Sequence, residues 1–210
     1  MYKSAAAFLF LYFQINIAFS QTNWKLITED EGIKVYSKTV PDSKIKALKA
    51  ECILTASADQ LVALLLDVNA ATEWVFHTKS CVLVRKISAL ELYYYTEVSL
   101  PWPLENRDFV AHIKASKDPL TNIVMVNAPA VPGFVHAKKG IVRISHSKGL
   151  WIISPVDKER IKVEYTLQVD PGGALPAWLV NTFAAQGPME SFKNMKRQLQ
   201  LSKYKNASLF

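Results

Sequence analysis

Few side chains in this sequence fall into the combinations that catalysis requires. The four histidines, His77, His112, His136 and His146, are scattered along the chain. They form neither a His-Glu-x-x-His helix nor a Cys/His zinc spacing. There is no Gly-x-Ser-x-Gly elbow, Walker loop or Gly-x-Gly-x-x-Gly turn, so no catalytic residue, metal ligand or cofactor is expected. His112 falls on the polar face of its strand and reads as a surface histidine. Cys52 and Cys81 could be bridged in an oxidising compartment, or stay as two thiols packed in apolar runs. The chemistry that does stand out is that of binding. Arg107 shares a period-two face with Phe109, Ala111 and Ile113, and a charge on an apolar face must be paired or hydrated. Two roles are open to it: a salt bridge or hydrogen bonds within the protein, or contact with the polar head of a bound molecule. Tyr94, Thr96 and Tyr165 likewise carry hydroxyls into apolar faces.

Alternating strands position these residues. Leu92, Tyr94, Thr96 and Val98 lie on one face of Leu90–Leu100. Ile161, Val163, Tyr165, Leu167 and Val169 lie on one face of Arg160–Val169. Such alternation marks an antiparallel sheet with a dry side and a wet side. Further strands are expected at Trp24–Glu29, Ile33–Val40, Lys44–Thr55, Cys81–Ile87, Arg107–Ala115, Thr121–Asn127 and Ile141–Ser154. Ser57 should cap a helix over Ala58–Val68, and Ala70–Phe76 could add a short helical piece. Asp170-Pro171-Gly172-Gly173 ends the strands. Beyond it Trp178, Leu179, Phe183, Met189, Phe192, Met195 and Leu199 make an apolar helical stripe, with a kink or two abutting helices expected at Gln186-Gly187-Pro188. A sheet followed by one terminal helix is an α+β arrangement.

Twenty-five Lys+Arg against 18 Asp+Glu give 210 residues a net charge of +7, and half the residues are hydrophobic. This composition excludes a disordered, collagen-like or multi-spanning chain. Lys and Arg are dispersed without a basic aromatic groove, so nucleic acid is not an expected partner. The mild positive charge suits either a soluble surface or contact with anionic lipid head groups. Residues 1–20 have the layout of a signal peptide: a positive start at Lys3, an apolar run from Ser4 to Phe19, and small Ala18 and Ser20 at the cleavage site. The run is shorter than the ~20 residues that span a bilayer. Residues 21–210 then form one exported domain, periplasmic or extracellular.

Three segments resemble the START (steroidogenic acute regulatory protein-related lipid transfer) domains. They are Pro101-Trp102-Pro103-Leu104-Glu105-Asn106-Arg107-Asp108-Phe109, then Asp170-Pro171-Gly172-Gly173-Ala174-Leu175-Pro176-Ala177-Trp178-Leu179-Val180-Asn181, then Gly187-Pro188-Met189-Glu190-Ser191-Phe192 with Lys193-Asn194-Met195. The likeness covers roughly Asn23 to Leu201. It implies a helix-grip fold, a curved antiparallel sheet wrapped around a long C-terminal helix that borders an apolar tunnel. It also implies non-enzymatic binding of a lipid ligand (phospholipid, fatty acid or sterol-like) and transient contact with a membrane surface. Arg107, Tyr94, Thr96, Phe109, Tyr165, Trp178, Phe183 and Phe192 are then the expected ligand-binding residues, and Trp102, Leu104 and Met189 the gate. A monomer is expected. Aromatase/cyclase enzymes share this architecture, so a cyclase using the same tunnel is the alternative. It would need convergent acid/base groups, for which Arg107, the tyrosines and His146 are the candidates.

Overall fold

The structure is a computed structural model and describes residues 24–173 and 175–210, apart from the side chains of Thr182 and Phe183. The expected leader, 1–20, lies outside the described residues. Ten strands form one sheet: β1 (Lys25–Asp30), β2 (Ile33–Val40), β3 (Ser43–Thr55), β4 (Thr78–Lys86), β5 (Glu91–Val98), β6 (Asn106–Lys117), β7 (Val124–Asn127), β8 (Ile141–Arg143), β9 (His146–Pro155) and β10 (Arg160–Asp170). Their order is β1-β2-β3-β10-β9-β7-β6-β5-β4, with β8 beside β6. Neighbours along this path are antiparallel, but β8 pairs with β6 in parallel from Asn106↔Ile141 to Asp108↔Arg143. The single strand expected over Ile141–Ser154 is therefore two. The chain leaves the sheet at Ile144 and re-enters at His146 to pair with β10.

Between β3 and β4 lie α1 (Ala58–Leu66), a 3₁₀ turn (Val68–Ala70) and α2 (Ala71–Trp74). Ser57 opens α1 with a reciprocal capping box: its hydroxyl accepts from Gln60 N at 3.1 Å, and its own N–H donates to Gln60 Oε1 at 2.7 Å. The chain ends in α3 (Ala177–Phe183), α4 (Gln186–Gln198) and α5 (Ser202–Lys205). Of the two alternatives, kink or abutting helices, the chain takes the second: α3 and α4 part at Ala184–Ala185, two residues before the expected break. Gly187 and Pro188 sit in the first turn of α4, where a missing N–H leaves no intrahelical bond unmade.

The inward faces of the strands change character along their length. At one end Leu54, Val124, Val126, Ile153, Ile161 and Val163 pack against Leu61, Val62 and Leu64 of α1 into a solid core. At the other end the same faces border empty space. An aromatic layer marks the change: Trp151 stacks on Tyr165 (centroids 4.2 Å apart) and on Phe192 of α4 (5.6 Å), and meets Trp74 of α2 edge-on at 6.3 Å.

Helix α4 closes this layer because its apolar residues Met189, Phe192 and Met195 are buried while its polar side is tied down. Ser191 Oγ accepts from Phe76 N at 3.0 Å, and Asn194 Nδ2 donates to the Trp74 carbonyl at 3.3 Å. Lys193 pairs with Asp30 at 2.6 Å. Helix α3 is held separately by Asn181, which accepts from Lys46 N and donates to Lys44 O on β3, both at 3.1 Å.

Candidate functional site

The hollow end of the sheet encloses a cavity of about 340 Å³. β5 contributes Tyr94, Thr96 and Val98; β6 contributes Phe109 and Ile113; β10 contributes Tyr165, Leu167 and Val169. These are the alternating faces read from the sequence. The other walls are Ser147, Gly149 and Trp151 of β9, the segment from Leu65 to Thr78 around α2, and Gly187, Pro188, Ser191 and Phe192 of α4. Trp151, Trp74, Phe76 and Cys81 were not singled out beforehand. For Trp151 a signal existed, since Ser147, Gly149, Trp151 and Ile153 alternate inward as Tyr165 and its neighbours do.

The polar groups facing the cavity are few and uncharged at neutral pH, with one exception. Burial pushes the Tyr165 hydroxyl up to about 12 and raises that of Tyr94 well above its ordinary value. Burial likewise pushes the Cys81 thiol up to about 11, and Cys52, in the core, up to about 12. Both cysteines are free thiols, which resolves the choice between bridge and buried thiols. Thr96 Oγ1 donates to the Ser80 carbonyl at 3.1 Å. The exception is Asp67, already engaged: Oδ2 accepts from Tyr204 (2.8 Å) and Lys203 (3.0 Å), and Oδ1 from Ala70 N (3.3 Å). Burial acts to raise its pKa, but these donors outweigh it and hold the carboxyl below its ordinary value. A carboxyl depressed in the folded state stabilises fully above its unfolded pKa of about 3.9, and that stability is lost as pH falls through the folded value. The melting-temperature advantage of the natural chain over Asp67→Asn should therefore be full at pH 6 and shrink below about pH 4. An advantage independent of pH would mean that the latch between α5 and Asp67 is not ionic.

The other expected site residues are placed elsewhere. Arg107 is buried, but its guanidinium turns to backbone carbonyls: Nε donates to Pro171 O at 3.3 Å, Nη2 to Gly172 O at 3.4 Å, and Nη1 to Glu105 O. It does not line the cavity. The turn it grips needs glycine, because Gly172 and Gly173 both have positive φ (+64° and +67°) and Arg107 Nη2 would lie 3.3 Å from a Cβ at Gly173. Trp178 is 69% exposed on α3 and lines nothing inside, since the break at Ala184–Ala185 takes α3 off the face that α4 buries. Met189 is packed in the core beside Phe192 and does not border the cavity. Trp102 is 92% exposed in the β5–β6 loop, with Leu104 half-buried beside it. The Phe183 side chain lies outside the described residues. His146, a candidate for acid/base work, is exposed.

On the outer face, Asp108 is fully buried and paired with Arg143, Nε–Oδ1 2.5 Å and Nη2–Oδ2 3.1 Å. Tyr95 also donates to Oδ2 at 3.1 Å. Arg143 reaches on to the carbonyls of Val135 and His136, so the β7–β8 connection is anchored there.

This arrangement is similar to that of known proteins. A crystal structure of a STAR-related lipid transfer protein from Xanthomonas axonopodis superposes with a TM-score of 0.79 and is 35% identical, covering 85% of this chain and 99% of that one. An uncharacterised protein of Pseudomonas aeruginosa is 29% identical over 174 residues, 83% of this chain and 85% of its own length. The phosphatidylcholine transfer protein of Bos taurus is 26% identical over 189 residues, 87% of this chain and 87% of its own length. The START domain family matches residues 12–205. A hollow half-sheet closed by a C-terminal helix, in a chain matched almost end to end, belongs to the START domain family.

Proposed function

We propose that this protein is an exported, non-enzymatic lipid carrier that encloses one hydrophobic molecule and moves it between membrane surfaces. The observation that supports this most is the cavity itself: about 340 Å³ with mostly apolar walls, next to a packed core. Natural interiors are close-packed, so a hollow of this size in an otherwise dense domain calls for an occupant. Each methylene moved from water into such a space contributes ~0.8 kcal/mol, which retains a captured chain against loss to water. Exchange with a bilayer is nearly neutral by comparison, hydrocarbon for hydrocarbon, so loading and unloading at a membrane is feasible.

The two most exposed tryptophans support the membrane step. Trp102 stands on the β5–β6 loop and Trp178 on α3, and Arg107 holds the bases of both segments together. Tryptophan is suited to the boundary between water and hydrocarbon. The net positive charge, +7 over the whole sequence including Lys3 of the leader, favours approach to anionic lipid. The cyclase reading has less to stand on, because the thiol and phenols facing the cavity are held in their neutral forms.

Native mass spectrometry of the protein produced in a lipid-containing host tests the proposal. An adduct of one lipid per chain is expected, on a mature chain whose mass begins at Gln21. A clean apo mass, together with no uptake of fluorescent lipid from vesicles, would overturn it.

A further inference from the structure

The cavity carries information about its occupant beyond being apolar. Tyr94 and Tyr165 reach it from β5 and β10, strands separated in the sheet by β9, β7 and β6. Neither phenol hydroxyl makes a hydrogen bond to any described residue, and neither is among the sealed, solvent-free polar atoms. Both rings are half-buried although protein surrounds them, because the surface they retain faces the hollow. A polar hydroxyl inside an apolar chamber without a partner is unfavourable by an amount comparable to a lost hydrogen bond. Two of them in one chamber are two donors awaiting an acceptor.

What such an acceptor cannot be is equally constrained. Asp67 is the one charged side chain among the described cavity-lining residues, and it is an anion whose oxygens are already occupied. Arg107, the cation that might have met a phosphate or carboxylate, is committed to three backbone carbonyls instead. An anionic head group drawn into this chamber would be desolvated with no counter-charge and beside a carboxylate.

We infer that the cavity selects a lipid ending in an uncharged oxygen function, an alcohol or an ester or amide carbonyl, which the hydroxyls of Tyr94 and Tyr165 engage. This rests on the lipid-carrier reading above and narrows it. The chain fills the space between Phe192 and the β-strand walls, and the oxygen takes the two phenolic protons that the protein leaves unmatched. Thr96, whose proton goes to Ser80, offers that oxygen only lone pairs, which an alcohol can use as a donor.

Titration of the delipidated full chain, followed by the fluorescence of Trp74 and Trp151, provides the test. The probes are 1-decanol, n-decane, decanoate at pH 8 and vesicles of dioleoylphosphatidylcholine. In the natural chain decanol and decane should both bind, and decanoate should bind at least tenfold more weakly than decanol. Tyr94→Phe and Tyr165→Phe should each weaken decanol roughly tenfold, and the pair on the order of 100-fold, with decane unchanged. The decane arm shows that the variants remain folded and hollow. Unchanged decanol affinity in the double variant, or an equal loss for decane, would overturn the assignment of the tyrosines. Decanoate binding as well as decanol would overturn the uncharged head. Capture of the diacyl phospholipid, whose head group is charged, with tighter binding than decanol would likewise overturn the uncharged head. Failure of decane and decanol alike to bind the natural chain would overturn the lipid-carrier reading as well.

Discussion

Replacing Phe192 by alanine is expected to lower the stability of the protein by about 3–5 kcal/mol and to abolish retention of a bound lipid. Phe192 has no exposed surface, stacks on Trp151 at 5.6 Å and borders both the core and the cavity. Truncation removes the transfer free energy of a phenyl ring and leaves a void that merges with the existing hollow, so the surroundings have little to collapse onto. With total stabilities of roughly 5–15 kcal/mol for a domain, the loss is a large fraction. Helix α4 would then be held by Met189 and Met195 and by the polar contacts of Ser191, Asn194 and Lys193. Urea denaturation measures the first effect and fluorescent-lipid release the second. Phe192→Leu, which keeps most of the volume, should sit between alanine and the natural residue in both. A loss under about 1 kcal/mol for alanine, with release unaltered, would mean that α4 does not close the chamber.

Removing the carboxylate of Asp108 should be comparably severe through a different mechanism. Asp108→Ala leaves Arg143 part-buried with two of its hydrogen bonds gone and deprives Tyr95 of its acceptor. Breaking one partner of a buried pair typically costs about 3–5 kcal/mol, because the remaining charge stays desolvated. The double replacement Asp108→Leu with Arg143→Met removes both charges, and much of the loss should be regained. Because the pair lies on the outer face, the surviving folded fraction should bind decanol with unaltered affinity. Equal destabilisation in the single and double variants would show that shape, and not charge, is what matters at this position.

The sheet was largely readable from alternation. β2 occupies the residues expected of it, and the inward residues of β5 and β10 are those counted by two. Alternation reports which side a residue faces, however, and says nothing of whether the space on that side is filled. The same face of β10 runs from Val163 in solid core to Leu167 over empty space without any change in pattern. The contacts of Arg107 were illegible for another reason. Two of its acceptors are carbonyls 64 and 65 residues away, and any residue type supplies a carbonyl. Trp178 was assigned inward by extending one stripe through α3 and α4, which holds only if the helix is continuous. The interruption at Ala184–Ala185, just before the Gln186-Gly187-Pro188 break signal, resets the rotation, and the stripe does not carry through it.

The position of that one guanidinium links two parts of the molecule that could otherwise act alone. Glu105 ends the segment bearing Trp102, and Pro171 and Gly172 begin the segment leading to Trp178. A single side chain grips both, like a shared hinge pin for two leaves of a door. Neither segment can shift far without straining bonds that also hold the other. The two tryptophan-bearing segments are therefore coupled through one buried side chain.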